Sequence, residues 1–84
     1  MKLPKLKQPT HDYELRGQEI IRGSRPQDRL QVAEVLFWRV HPEMVFDMIQ
    51  IQLAGGQETV WLDTHDNLKS ILRRAAPGKE LPVD

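Results

Sequence analysis

Apolar and polar residues alternate most cleanly between Val45 and Asp63. Ile49, Ile51 and Leu53 are spaced by Gln50 and Gln52, the period of a strand buried on one side. Ala54-Gly55-Gly56-Gln57 then supplies a turn whose glycines accept positive φ, and Thr59-Val60-Trp61-Leu62 returns as a second strand. The pattern predicts a β-hairpin over about 45–63. Downstream, Leu68, Ile71, Leu72 and Ala75 recur at three, four and seven, the stripe of an amphipathic helix over 64–75. Asp63 or Thr64 can cap that helix, Asp66 suits its first turn, and Arg73, Arg74 and Pro77-Gly78 suit its end.

Upstream the pattern is harder to read. Tyr13 to Arg22 supports a short strand through Leu15, Ile20 and Ile21, with Gly17 weakening any helix there. Ser24, Pro26, Gln27 and Asp28 look like a helix start, with Ser24 as cap and Gln27 as its capping-box partner. Gln27, Gln31, Glu34 and His41 form one polar stripe. A helix over about 25–40 is therefore the first expectation, ended by Pro42. The competing expectation is a strand, because Val32 to Val40 is rich in β-branched and aromatic residues.

These elements predict an α+β fold. The first form is a small two-layer sandwich, its antiparallel sheet built on the central hairpin and covered on one face by one or two helices. The element order matches the ferredoxin-like arrangement as a pattern only. The alternative is a meander of three or four strands packed on the C-terminal helix alone. Residues 1–12, with Pro4 and Pro9, are expected to be an extended basic arm, 13–76 a single globular domain, and 77–84 a tail in which Leu81 to Val83 could add an edge strand.

Composition narrows the class. Eighty-four residues hold one core, and the absence of cysteine removes disulfides and thiolate metal sites as supports. A copy of itself or another partner is then a remaining source of stability. Net charge is zero but unevenly placed: residues 1–30 carry seven Lys/Arg and four Asp/Glu, 31–66 carry one and six, and 67–84 carry four and two. No stretch has the apolar length of a membrane span, so a cytoplasmic protein is expected.

Chemistry-bearing motifs are sparse. His11, His41 and His65 are the candidate ligands or bases, and Asp63, His65 and Asp66 cluster at a helix start, where capping is the plainer role. Gly55-Gly56 lacks the lysine and helix of a phosphate loop. No nucleophile sits beside a histidine, so neither an enzyme nor a cofactor is expected. If Ile49, Ile51, Leu53, Val60 and Leu62 face the helices, Phe46, Met48 and Trp61 point the other way with Gln50, Gln52 and Thr59. That uncovered face, with Trp38 nearby, marks a protein-binding or homodimer surface and a non-enzymatic regulatory module. The second expectation is nucleic-acid association through Lys5, Lys7, Arg22, Arg25, Arg29, Arg73 and Arg74, with Lys69 adding charge and Tyr13 or Trp38 stacking on bases.

Overall fold

The computed structural model describes residues 13–83. Among the described residues, two largely antiparallel sheets and one helix make up an α+β arrangement, as expected. The first sheet holds β1 (Glu14–Arg16), β2 (Glu19–Ile21) and β3 (Arg29–Gln31) in the order β1-β2-β3. Gly17, at φ +65°, turns the chain between β1 and β2, where Arg16 pairs with Glu19. The glycine expected to weaken a helix here is thus part of the turn of a two-residue hairpin, a position that needs positive φ.

The second sheet runs β6-β5-β4-β7, from β4 (Val35–Pro42), β5 (Asp47–Leu53), β6 (Glu58–Asp63) and β7 (Glu80–Leu81). The three longer strands are antiparallel neighbours, and β7 adds in parallel to β4. Trp38 N–H donates to Lys79 O at 2.9 Å where this edge strand begins, so part of the tail is structured.

The helix expected over 25–40 does not form. Its residues fold as 3-10 turns at Pro26–Asp28 and Val32–Glu34, with β3 between them and β4 following. The strand alternative describes this region. Two physical reasons favour it. Asp28 gathers both Arg22 and Arg25, which fixes a tight turn instead of a first helical turn. Val35, Trp38 and Val40 then pair with β5, with a bulge between Val35 and Phe37. The bulge inserts one residue and lets Val35 and Trp38, three apart, both face inward. That spacing resembles a helical period along the chain.

The helix α1 (Asn67–Ala75) is shorter than expected at its start but buries the predicted stripe: Leu68, Ile71 and Leu72 are in the core and Ala75 packs against it. Its capping is done from outside. The Asp63 carboxylate accepts from the backbone N–H groups of Asn67 (3.0 Å), Leu68 (3.2 Å) and Lys69 (3.0 Å), while Asp66 holds a left-handed turn at φ +56°. Three of the four orphan donors at the helix start are satisfied by one side chain. Among the described residues one core then joins Ile20 and Leu30 of the first sheet, with the flanking Tyr13 and Val32, to Val35, Trp38, Val40, Ile49, Ile51 and Trp61 of the second and to the helix.

Candidate functional site

The cross-strand register divides the second sheet into two faces, because directly paired residues point to the same side. Val40 pairs with Ile49 and Ile49 with Trp61, while Trp38 pairs with Ile51. This is the inner face, and all five side chains are buried. His41 pairs with Met48 and Met48 with Leu62, Arg39 with Gln50 and Gln50 with Val60, and Phe37 with Gln52. These form the outer face. Phe37 is 38% exposed and Val60 47%, with Leu36 beside the bulge at 51%.

The tryptophans are therefore placed opposite to expectation. Trp61 and Trp38 are 2% and 0% exposed, so neither lines an accessible surface. The physical reason lies in the hairpin loop. Leu53 N–H donates to Gln57 O at 2.7 Å, and Gly55 and Gly56, at φ +87° and +83°, close a loop that pairs Gln52 with Glu58. That length puts Trp61 opposite Ile49, whereas a loop differing by one residue would have put Val60 or Leu62 there. Met48, Gln50 and Gln52 do share an outer face as expected. Phe46 is half-buried at the edge of a 210 Å³ cleft beside the β4–β5 turn.

Trp61 sits in an aromatic and cationic stack. The Tyr13 ring is parallel to it within 16°, centroids 5.4 Å apart, and the Arg22 guanidinium lies 4.6 Å from its ring. The Tyr13 hydroxyl donates to the Leu62 carbonyl. Burial pushes the Tyr13 hydroxyl up to about 12 from its usual 10.0. Arg22 and Arg25 meet the Asp28 carboxylate at 3.0 and 2.9 Å, and hydrogen bonds from Arg25 and then Arg22 hold that carboxyl well below the usual carboxylate range. A Cβ at Gly23 would stand 2.7 Å from the Asp28 carboxylate oxygen, so this turn needs glycine there. The sequence places Asp28 in the first turn of an expected helix. The signal for its actual role was the pair of arginines at 22 and 25 close to one acid.

The proposed basic patch is not assembled as a set of open cations. Arg22 and Arg25 hold Asp28, Arg29 approaches Glu19 at 3.5 Å, and Arg73 meets Glu80 at 2.9 Å. Arg74 reaches the Ser70 carbonyl at 3.4 Å. Lys69 lies between Asp47 and Asp66. Burial alone would lower its ammonium pKa, but hydrogen bonds from Lys69 to the two carboxylates raise it. Tyr13 and Trp38, the expected stacking residues, are in the core. Lys5, Lys7 and His11 lie outside the described residues.

The histidine and carboxylate candidates are also engaged in structural contacts. His41 Nε2–H donates to Gln50 Oε1 at 2.7 Å, and Gln50 Nε2–H donates to Glu58 Oε1 at 3.1 Å, a polar chain across the outer face. His65 Nδ1 is 3.3 Å from the Thr64 hydroxyl. Asp63 serves the helix start and Asp66 serves Lys69, so the trio does not converge. Among the described residues no group of three or more His, Asp or Glu is placed to hold a metal ion.

Sequence reading missed Phe37, Val60 and Leu62 as surface-lining residues. The signal was available in the strand alternative argued from Val32 to Val40, whose alternation separates Phe37 and Arg39 from Trp38 and Val40. Among the described residues no helix is long and apolar enough to cross a membrane. A scan against protein-family models, a search of curated proteins and a search of solved structures each found no match to this chain.

Proposed function

We propose that this protein is a small non-enzymatic binding module that docks another protein on the outer face of its second sheet. The observation that carries this reading is the exposure of Phe37 and Val60 on a face that also presents Met48, Leu62, Gln50 and Gln52. Apolar side chains framed by amides are the makeup of a recognition patch. The engagement of Asp28, Asp47, Asp63 and Asp66 in caps and ion pairs supports a non-enzymatic role, since each carboxylate already has structural partners.

The test is affinity capture by the tagged chain, with and without nuclease, compared with the double variant Phe37→Glu/Val60→Glu. A partner that survives nuclease and moderate salt, and is lost from a variant with an unchanged circular dichroism spectrum, supports the reading. Capture that disappears with nuclease overturns it and favours nucleic acid, because phosphate contacts weaken steeply with salt.

A further inference from the structure

The second sheet ends at β6 in an edge that is open over half its length. We infer that a second copy of the chain pairs antiparallel with β6 along Glu58–Val60, joining two four-stranded sheets edge to edge about a two-fold axis at Thr59. The inference goes beyond the docking reading, which concerns the outer face, and does not depend on it.

Three observations carry it. The first is where the backbone of β6 points. Leu53 N–H bonds Gln57 O at the loop, so Thr59, Trp61 and Asp63, at steps of two along the register, also face β5. The N–H and C=O groups of Glu58, Val60 and Leu62 therefore point away from β5. On that side β6 has no further strand among the described residues. The second is that this edge lacks the usual guards. The opposite edge is β7, two residues long and followed by Pro82. By contrast β6 pairs with β5 without a bulge, contains neither lysine nor proline, and exposes the β-branched Val60. Such an edge is a template for another strand. The third is the length of the open stretch. The Tyr13 hydroxyl takes the Leu62 carbonyl and closes the edge there. Glu58 and Val60 remain, with four outward backbone groups. The same four groups of a second copy satisfy all of them, Glu58 opposite Val60 and Val60 opposite Glu58, in one closed two-fold pairing. In that register Thr59 faces Thr59, a favourable cross-strand pair, and no two glutamates stand directly opposite each other. A register centred on Val60 would need the Leu62 carbonyl that Tyr13 already holds.

Sedimentation equilibrium of the full chain over a concentration series should show monomer and dimer in exchange. Val60→Pro removes the outward N–H from each copy without taking a bond from β5. It should weaken self-association roughly tenfold or more, through two lost hydrogen bonds across the axis, with an unchanged circular dichroism spectrum. If Val60→Pro does not fold, Thr59→Lys takes its place, setting two like charges face to face at the axis. The chain has no cysteine, so one introduced thiol is unique. Thr59→Cys should cross-link two chains on mild oxidation, because facing residues of a non-hydrogen-bonded pair lie about 4.5 Å apart, within disulfide reach. Val60→Cys, whose two copies lie diagonally at about 7–8 Å, should cross-link far more slowly. A chain that stays monomeric overturns the inference. So does a dimer that these variants leave intact, which places the contact on another surface. Faster cross-linking at Val60→Cys than at Thr59→Cys overturns the register, and with it the part given to Tyr13.

Discussion

The two faces of the β4–β5–β6 sheet are built from the same strands, one residue out of step, and carry opposite consequences. Inward are Trp38, Val40, Ile49, Ile51 and Trp61, all buried in one core with the helix and the first sheet. Outward are Phe37, Met48, Val60 and Leu62, interleaved with Arg39, His41, Gln50 and Gln52. The difference teaches that exposure here is decided by loop length and a single bulge, not by residue type. Phe37 is as apolar as its inward neighbours. The bulge at Val35/Phe37 and the loop at Leu53–Gln57 determine which side each residue serves.

The strongest way to break this contrast is Trp61→Ser. It leaves the Tyr13 ring and the Arg22 guanidinium without the surface they pack on, inside the core. Removing a buried tryptophan costs about 3–5 kcal/mol, a large share of what a domain of this size holds. Chemical denaturation should show a midpoint shift of that order or a loss of cooperative folding. A cost below about 1 kcal/mol would mean that Trp61 is a surface residue.

Next in size is Asp63→Ala. Asp63 shares the inner face with Trp61 but acts through three backbone N–H bonds at the start of α1. Losing a cap costs about 0.5–2 kcal/mol, and the upper end applies because Leu68 N–H is buried. Asp63→Asn, which keeps one acceptor oxygen, should recover part of the loss. Hydrogen exchange should speed up at Asn67, Leu68 and Lys69 before it does elsewhere.

How much of this was legible beforehand depends on which signals were local. The hairpin, the helix stripe and the α+β class could be read because alternation at Ile49 and Ile51 and recurrence at Leu68, Ile71 and Leu72 lie within single elements. The capping role of Asp63 was legible too, as one of two choices. Residues 25–41 were not, because the bulge gives Val35 and Trp38 a helix-like spacing while their own pairing partners, Leu53 and Ile51, lie in another strand, β5. Gly17 was ambiguous for a related reason: a glycine weakens a helix and makes a hairpin, and only the pairing of Arg16 with Glu19 distinguishes them. The face assignment of Trp61 failed on register across the loop, since alternation within each strand says nothing about their relative phase.

A smaller effect, confined to alkaline solution, sharpens the account of the inner face. Tyr13 keeps its proton to about 12 in the folded chain, against 10.0 when solvated. Between those values the folded state binds more protons than the unfolded state, so stability falls as pH rises. The contribution is present in full below pH 10 and is lost through pH 12. Tyr13→Phe should flatten this alkaline limb while lowering stability modestly at neutral pH through loss of the bond to the Leu62 carbonyl. An alkaline limb unchanged in Tyr13→Phe would assign it to another group.

The smallest expected effect is on the outer face. Phe37→Ser and Val60→Thr each remove apolar surface that is already 38% and 47% exposed, and neither leaves a buried polar group unpaired. Threonine also keeps the β-branched shape that suits a strand. Stability should change by about 0.5 kcal/mol or less for Val60→Thr, and by somewhat more for Phe37→Ser because the larger, less exposed ring gives up more buried apolar surface. Equilibrium denaturation of the two variants beside Trp61→Ser measures the contrast directly. If Val60→Thr costs as much as Trp61→Ser, the outer face is as closely packed as the inner one, and the surface proposed for docking is already occupied within the molecule.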